Sequence, residues 1–329
     1  MSRRRRGASS NPFLVGVPAE EPPLSNLRIG VVGTGALGRH HVRILSQLPG
    51  VALVGLYDRR PERGEVVAKE FGARSWPDLE SLAQEVEAVV VAVPTVDHAE
   101  IGCRLLEDGN HVLIEKPMAS SLEEADRLLA AAGDRVLAVG HVEFYNPAVQ
   151  SLLQLENPPG FVEVHRLAVF TPRSLDVDVV LDLMIHDLQI LHALDTSPVA
   201  EVRATGISVL SPRIDIANAR IALESGCVAN LTASRVSSER VRKLRVFLQG
   251  RGYYSVDYHQ QEIKGYRLEG GDDERRIVPD NLLVEKEEPL KRELEAFISR
   301  CKGKDSPLVS GQLGRQALAT ALSVVDAIP

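Results

Sequence analysis

The stretch Leu27-Arg28-Ile29-Gly30-Val31-Val32-Gly33-Thr34-Gly35-Ala36-Leu37-Gly38 decides the fold. Its first six residues are a short apolar run, suited to a strand buried on both faces of a parallel sheet. The next six match G-x-G-x-x-G, and a helical pattern opens within them and runs to Leu48, where Pro49-Gly50 stops it. A second apolar run, residues 51–57, leads to Asp58, 20 residues after Gly38. Strand, glycine turn, helix, strand and acid in that register predict a dinucleotide site. Each glycine has its own reason: Gly33 turns the chain tightly, Gly35 admits a pyrophosphate to the backbone, and Gly38 lets helix and strand pack closely. Thr34, Ala36 and Leu37 complete the turn, whose helix start offers free N–H groups and a positive dipole end to phosphates. A carboxylate at Asp58 accepts hydrogen bonds from ribose hydroxyls and repels a 2′-phosphate, which favours NAD over NADP. Arg59 belongs to the same site, and Arg59 with Arg60 softens that repulsion.

Outward from this unit, apolar runs at residues 86–93, 111–114 and 135–139 alternate with helical patterns at 61–71, 97–107 and 120–132. Such alternation predicts a parallel, doubly wound sheet. Ser120 with Glu123 three residues on reads as a capping box for the last of these helices. The character changes after His141, where Asn146-Pro147 and Asn157-Pro158-Pro159-Gly160 are turn chemistry. From Phe161 the apolar residues alternate over 161–170, 199–210, 214–236 and 244–268, which predicts a mostly antiparallel sheet with one apolar face. Helices or another subunit must cover that face, and an exposed apolar face calls for a homodimer or homotetramer. Residues 288–301 and 311–327 read as closing helices. The expected fold is α/β: a disordered tail over 1–25, a dinucleotide-binding domain over 26–145, and a substrate-binding and oligomerisation domain over 146–329.

Composition narrows the function. Among 329 residues, 44% are hydrophobic and 25% charged, with a formal net charge of -7, so no global positive field attracts nucleic acid or a membrane surface. An anionic substrate must therefore meet a local basic cluster. Cys103, Cys227 and Cys301 are scattered and odd in number, which argues against a disulfide framework or thiolate zinc site and fits a reducing cytoplasm. The basic run Arg3–Arg6 and the apolar residues 13–17 are cut short by Pro18 and Glu20-Glu21, unlike a secretory signal. No stretch is long and apolar enough to span a bilayer.

Two further strand ends carry unusual residues. Val93 is followed by Pro94-Thr95 with His98 a turn later, and Ile114 by Glu115-Lys116-Pro117. Ligands of open parallel sheets bind outside the carboxyl ends of strands, so Lys116 is a candidate for the chemistry, although a lysine before proline is equally compatible with a surface position. Asp182 and His186 stand four apart in a helical pattern and share a face. A carboxylate beside an imidazole fixes its tautomer; a solvated helix face, or a buried histidine bonded to its neighbour, is the plainer account. Metal ligation by Asp182, His186 and His192 is not expected, since His192 lies off that face.

Taken together, the glycine turn, Pro94-Thr95 with His98, Glu115-Lys116-Pro117 and Asp182-x-x-x-His186 resemble the glucose-fructose oxidoreductase/inositol dehydrogenase family from Asn26 to Ile328. The resemblance implies a Rossmann domain followed by an α/β domain on an open antiparallel sheet, with Lys116, Asp182 and His186 as the catalytic set and Pro94, Thr95, His98, Glu115 and Lys116 as cofactor contacts. The segments 140–143, 146–149 and 176–187 look most like bacterial sugar-nucleotide members. That likeness implies NAD-dependent oxidation of a secondary hydroxyl, the 3-hydroxyl of a UDP-linked amino sugar. Phe144 departs from the arginine, and Gln189 from the acid, expected of that type. Asn146, Arg173 and Arg235 are the candidate substrate contacts, the two arginines for a diphosphate. An inositol or free-sugar dehydrogenase, an NAD-dependent glycosidase and a non-catalytic dinucleotide-binding regulator are the alternatives. The presence of Lys116, Asp182 and His186 argues against the last.

Overall fold

The computed structural model describes residues 26–155, 158–171, 177–270 and 274–329. The expected tail at 1–25 and Arg173 lie outside the described residues. The first half runs β1 (Leu27–Val32), α1 (Ala36–Leu45), β2 (Val51–Tyr57), α2 (Pro61–Phe71), α3 (Leu79–Ala83), β3 (Ala88–Val91), α4 (His98–Glu107), β4 (His111–Glu115), α5 (Leu122–Ala132) and β5 (Leu137–Gly140). All five strands are parallel, in the order β2-β1-β3-β4-β5. The sheet is covered on both faces, and β3 has four fully buried residues, Ala-Val-Val-Val. The capping box of α5 sits one residue later than Ser120 and Glu123 suggest. Ser121 is the N-cap and accepts from Glu124 N, while Glu124 Oε2 accepts from Ser120 N. Two adjacent serines and two adjacent glutamates make both registers legible in the sequence, and packing of Ala125 and Leu128 selects one.

The second half runs α6 (Pro147–Leu153), β6 (Phe161–Val169), α7 (Ile185–Leu194), β7 (Val199–Ile207), β8 (Ile216–Leu223), β9 (Val228–Ser237), β10 (Val241–Leu248), β11 (Gly252–Asp257), β12 (Glu262–Glu269), β13 (Arg276–Pro279), α8 (Pro289–Cys301) and α9 (Gly311–Asp326). Eight strands lie in the order β13-β12-β11-β10-β6-β9-β8-β7, antiparallel except for the β6–β9 pair. Its apolar face packs on α6, α7 and α9 of the same chain, through Val149, Leu188 and Ala321 among others. The uncovered face is therefore not the apolar one. It carries Glu163, His165, Lys243 and Arg245, together with an aromatic ladder of Phe161, Phe247, Tyr253 and Tyr266 at ring spacings of 5.6 to 5.8 Å. Helix α8 follows this sheet in the chain but buries Leu290, Leu294 and Phe297 in the core of the first. No helix of the described residues is long and apolar enough to cross a membrane.

Candidate active site

The glycine turn leaves β1 with Gly33 at a φ of 86°. A Cβ at Gly33 would meet the Ala92 carbonyl oxygen at 2.5 Å, and one at Gly38 would meet the Gly33 oxygen at 1.9 Å. A Cβ at Gly35 would find nothing within 4 Å. The outer glycines are thus demanded by packing, and Gly35 opens onto free space. That space belongs to a cavity of about 530 Å³ lined by Gly33, Gly35, Ala36, Leu37, Asp58 and Pro94 among others. Helix α1 has no acid in its first turn, so its positive end is uncompensated there. Bare backbone, a helix start and a cavity of this size fit the pyrophosphate and adenosine of a dinucleotide.

The Asp58 side chain is fully buried, however. Its Oδ2 accepts from Thr34 N and Oγ1, both at 2.7 Å, and from Arg63 Nε at 2.9 Å; its Oδ1 accepts from Arg60 N and Arg63 at 2.9 Å each. Burial opposes its ionisation, but the bonds from Arg60, Thr34 and Arg63 outweigh that and hold the carboxyl below its ordinary range. Thr34 serves Asp58 with both its donors. Arg59 lines the cavity and pairs with Asp97 at 3.3 Å.

Lys116, just past β4, reaches from the first domain into the second. Its Nζ donates to the Asp182 carbonyl at 2.6 Å and lies 3.3 Å from Asp182 Oδ1. Asp182 sits in a π-helical turn, Val180–Met184, leading into α7. Such turns recur at functional sites because they re-aim side chains and carbonyls. His186 follows in the first turn of α7, buried, with Nδ1 unpartnered among the described residues. Asp182 makes no hydrogen bond to it, so the expected Asp182–His186 pair is replaced by an Asp182–Lys116 pair; the π turn breaks the α spacing on which that expectation rested. The neighbour of His186 is instead His141, edge to face with ring centroids 5.6 Å apart. His141 follows β5 directly and is buried with both ring nitrogens unpartnered among the described residues. Burial and then the Lys116 cation push His141 down to about 3. Burial, then Lys116 and Arg166, hold His186 well below the ordinary range. Both rings are neutral at pH 7. A buried unsatisfied nitrogen costs about 1–3 kcal/mol, which a ligand donor or acceptor would recover.

Beside His186 lies a buried ion network. Arg166 on β6 grips Asp187 with two bonds of 2.6 and 2.7 Å and Glu143 with one of 2.8 Å, while Tyr258 donates to Asp187 at 3.1 Å. Arg242, whose side chain is 40% exposed, shares Glu143 at 3.1 Å.

Several expected contacts lie elsewhere. Asn146 is buried as the N-cap of α6, accepting from Ala148 N and donating to the Tyr258 carbonyl, so both ends of its carboxamide hold the fold. Arg235 is buried beside Asp215 and donates to the Val177 and Ile214 carbonyls, a structural anchor rather than a diphosphate ligand. Glu115 turns inward and bonds His41 at 2.6 Å, near the buried carboxyl of Glu293. His98 is buried against the Val93 and Pro117 carbonyls at 2.9 Å each, tying together the loop of Pro94 and Thr95 and the loop of Lys116. His141 was legible by the strand-end rule that singles out Lys116. Arg63 and the Arg166 network were not, because single charges on strands and helices carry no local signal.

Residues 27–141 match the family model described as an oxidoreductase family with an NAD-binding Rossmann fold. The chain is 37% identical over 313 residues to UDP-N-acetylglucosamine 3-dehydrogenase of Acidithiobacillus ferrooxidans, covering 92% of this chain and 97% of that one. A solved structure of that enzyme superposes with a TM-score of 0.87 over the same shares of the two chains. Myo-inositol 2-dehydrogenase of Thermotoga maritima is 26% identical over 313 residues, 89% of this chain and 93% of that one. With a dinucleotide cradle, a two-domain α/β fold and relatives matched over almost their whole length, the chain belongs to the glucose-fructose oxidoreductase/inositol dehydrogenase family of NAD-dependent dehydrogenases.

Proposed function

We propose that this chain oxidises the 3-hydroxyl of a UDP-linked amino sugar, with UDP-N-acetylglucosamine as the first candidate. The observation that carries the substrate is 37% identity across 97% of an enzyme named for that reaction. In this reading Lys116, Asp182 and His186 surround the reacting hydroxyl. His186, neutral through burial, accepts the hydroxyl proton, and Lys116 donates to the same oxygen and favours its alkoxide character. Asp182 acts by holding Lys116. Bound NAD supplies the hydride acceptor. With Arg235 committed to the fold, Arg242 is the cation we assign to the substrate diphosphate, since Glu143 fixes it while part of its guanidinium stays open.

The domain division at 145/146, a cytoplasmic location and a homodimer or homotetramer formed through the uncovered sheet face complete the proposal. Incubation with NAD and UDP-N-acetylglucosamine, followed by the absorbance of reduced cofactor, tests the substrate. Turnover of inositol or free sugars with none of any UDP-sugar would remove the nucleotide part of this reading.

A further inference from the structure

Lys116 is held mainly by a backbone carbonyl, that of Asp182 at 2.6 Å, so its position depends on how firmly that stretch of main chain is fixed. The π-helical turn Val180–Met184 has no side-chain cap at its start. It is fixed from outside instead, by the loop that precedes β8. The Ile214 carbonyl accepts from Val179 N at 3.0 Å, and Ile214 N donates to Asp178 Oδ1 at 3.0 Å. The Asp178 carbonyl in turn accepts from Asp182 N at 3.0 Å. Arg235 on β9 binds both segments at once: its Nη2 donates to the Val177 carbonyl and, at 3.0 Å, to the Ile214 carbonyl. Its Nε lies 3.4 Å from Asp215, whose carboxylate also accepts from the backbone of Val209, Leu210 and Ser211 and from the Ser211 hydroxyl. Arg235 and Asp215 are both buried. A buried ion pair adds little net stability, because desolvation cancels most of its attraction, but it does fix geometry. Here the geometry it fixes is the entrance to the turn that carries Asp182.

We infer that Asp178 and Arg235, the latter clamped by Asp215, are positioning residues for the reaction: they set the π turn so that the Asp182 carbonyl meets Lys116. They act through the main chain and not through contact with substrate. The inference rests on the reading that Lys116 works on the reacting hydroxyl, and it is independent of which sugar binds. A carbonyl displaced by about 1 Å would no longer hold Lys116, and a misplacement of that order costs about 10²-fold in rate.

Steady-state turnover with NAD and UDP-N-acetylglucosamine, in single variants and in a Lys116→Ala background, tests it. Arg235→Gln and Asp178→Ala should each lower kcat by about 30- to 100-fold, with KM and NAD affinity within about threefold of native. Asp178→Asn keeps an acceptor for Ile214 N and should stay within about threefold of native kcat. In the Lys116→Ala background, Asp178→Ala should change kcat by no more than about twofold, because groups that act as one unit are not additive. Additive losses there, or native kcat in Asp178→Ala alone, overturn the positioning role and leave the Lys116 reading in place. Native kcat in Lys116→Ala overturns both. Arg235→Gln leaves Asp215 buried without its cation, so a thermal melt checks its fold, and Asp178→Ala carries the test if that variant does not fold. A crystal structure of Asp178→Ala reads the link without turnover: Lys116 should lose the Asp182 carbonyl, and a bond kept as in the native chain overturns the inference.

Discussion

At the residue scale, the site turns on which partner each charged group chooses. Lys116 takes the Asp182 carbonyl at 2.6 Å and only grazes the carboxylate at 3.3 Å, so the main chain does most of the holding. Lys116→Ala and His186→Ala should each lower kcat by about 10²- to 10⁴-fold, the usual worth of a positioned acid or base, with NAD affinity close to native. Asp182→Ala should cost less, about tenfold, and leave the pH profile in place. A loss as large as that of His186→Ala, with a shifted acid limb, would restore Asp182 as the partner of His186. Because burial keeps His186 neutral, the acid limb of kcat/KM should lie below about pH 6.5, the ordinary histidine value.

Elements decide where those residues can stand. The glycine turn separates fold from function cleanly, since Gly38 is hemmed in at 1.9 Å while Gly35 is open. Gly38→Ala should destabilise the first domain by about 1–3 kcal/mol through forced displacement of the turn, read as a lower urea midpoint. Gly35→Val should leave that midpoint nearly unchanged and abolish measurable NAD binding. If Gly35→Val bound NAD normally, the pyrophosphate would have to lie elsewhere. The G-x-G-x-x-G pattern was fully legible in the sequence because its spacing is local. The π turn at Val180–Met184 was not, because an amphipathic run looks the same whether one turn holds an extra residue or not.

Across the whole molecule, acid stability has a definite sign. His141 and His186 are buried, with folded pKa values pushed below the unfolded value, burial being the first cause in each. The unfolded chain therefore takes up protons near pH 6.5 that the folded chain refuses. Their contribution is fully present above about pH 6.5 and is lost as pH falls, by about 2 kcal/mol at pH 5 for His141, whose ring is held at about 3, with His186 adding a loss of the same sign. Urea midpoints between about pH 8 and pH 5 should fall accordingly, and His141→Leu should flatten the slope; an unchanged slope would mean the ring is charged in the fold. The uncovered sheet face invites a second test. Its aromatic ladder across β6, β10, β11 and β12 is flanked by the Arg245–Glu163 pair. Phe247→Glu should therefore shift the species seen by light scattering towards monomer without unfolding the sheet.

The sequence by itself determined the dinucleotide cradle, the parallel sheet behind it and the antiparallel sheet that follows, because each is written in short-range spacing and periodicity. It also brought Lys116 to a strand end. Only the tertiary structure decided that Asp182 serves Lys116, that His141 rather than Asp182 adjoins His186, and that Asn146 and Arg235 are spent on the fold. It also buried Asp58 beneath Arg63. These are choices among partners distant in the chain, and they depend on which group comes within hydrogen-bond reach once both domains are packed.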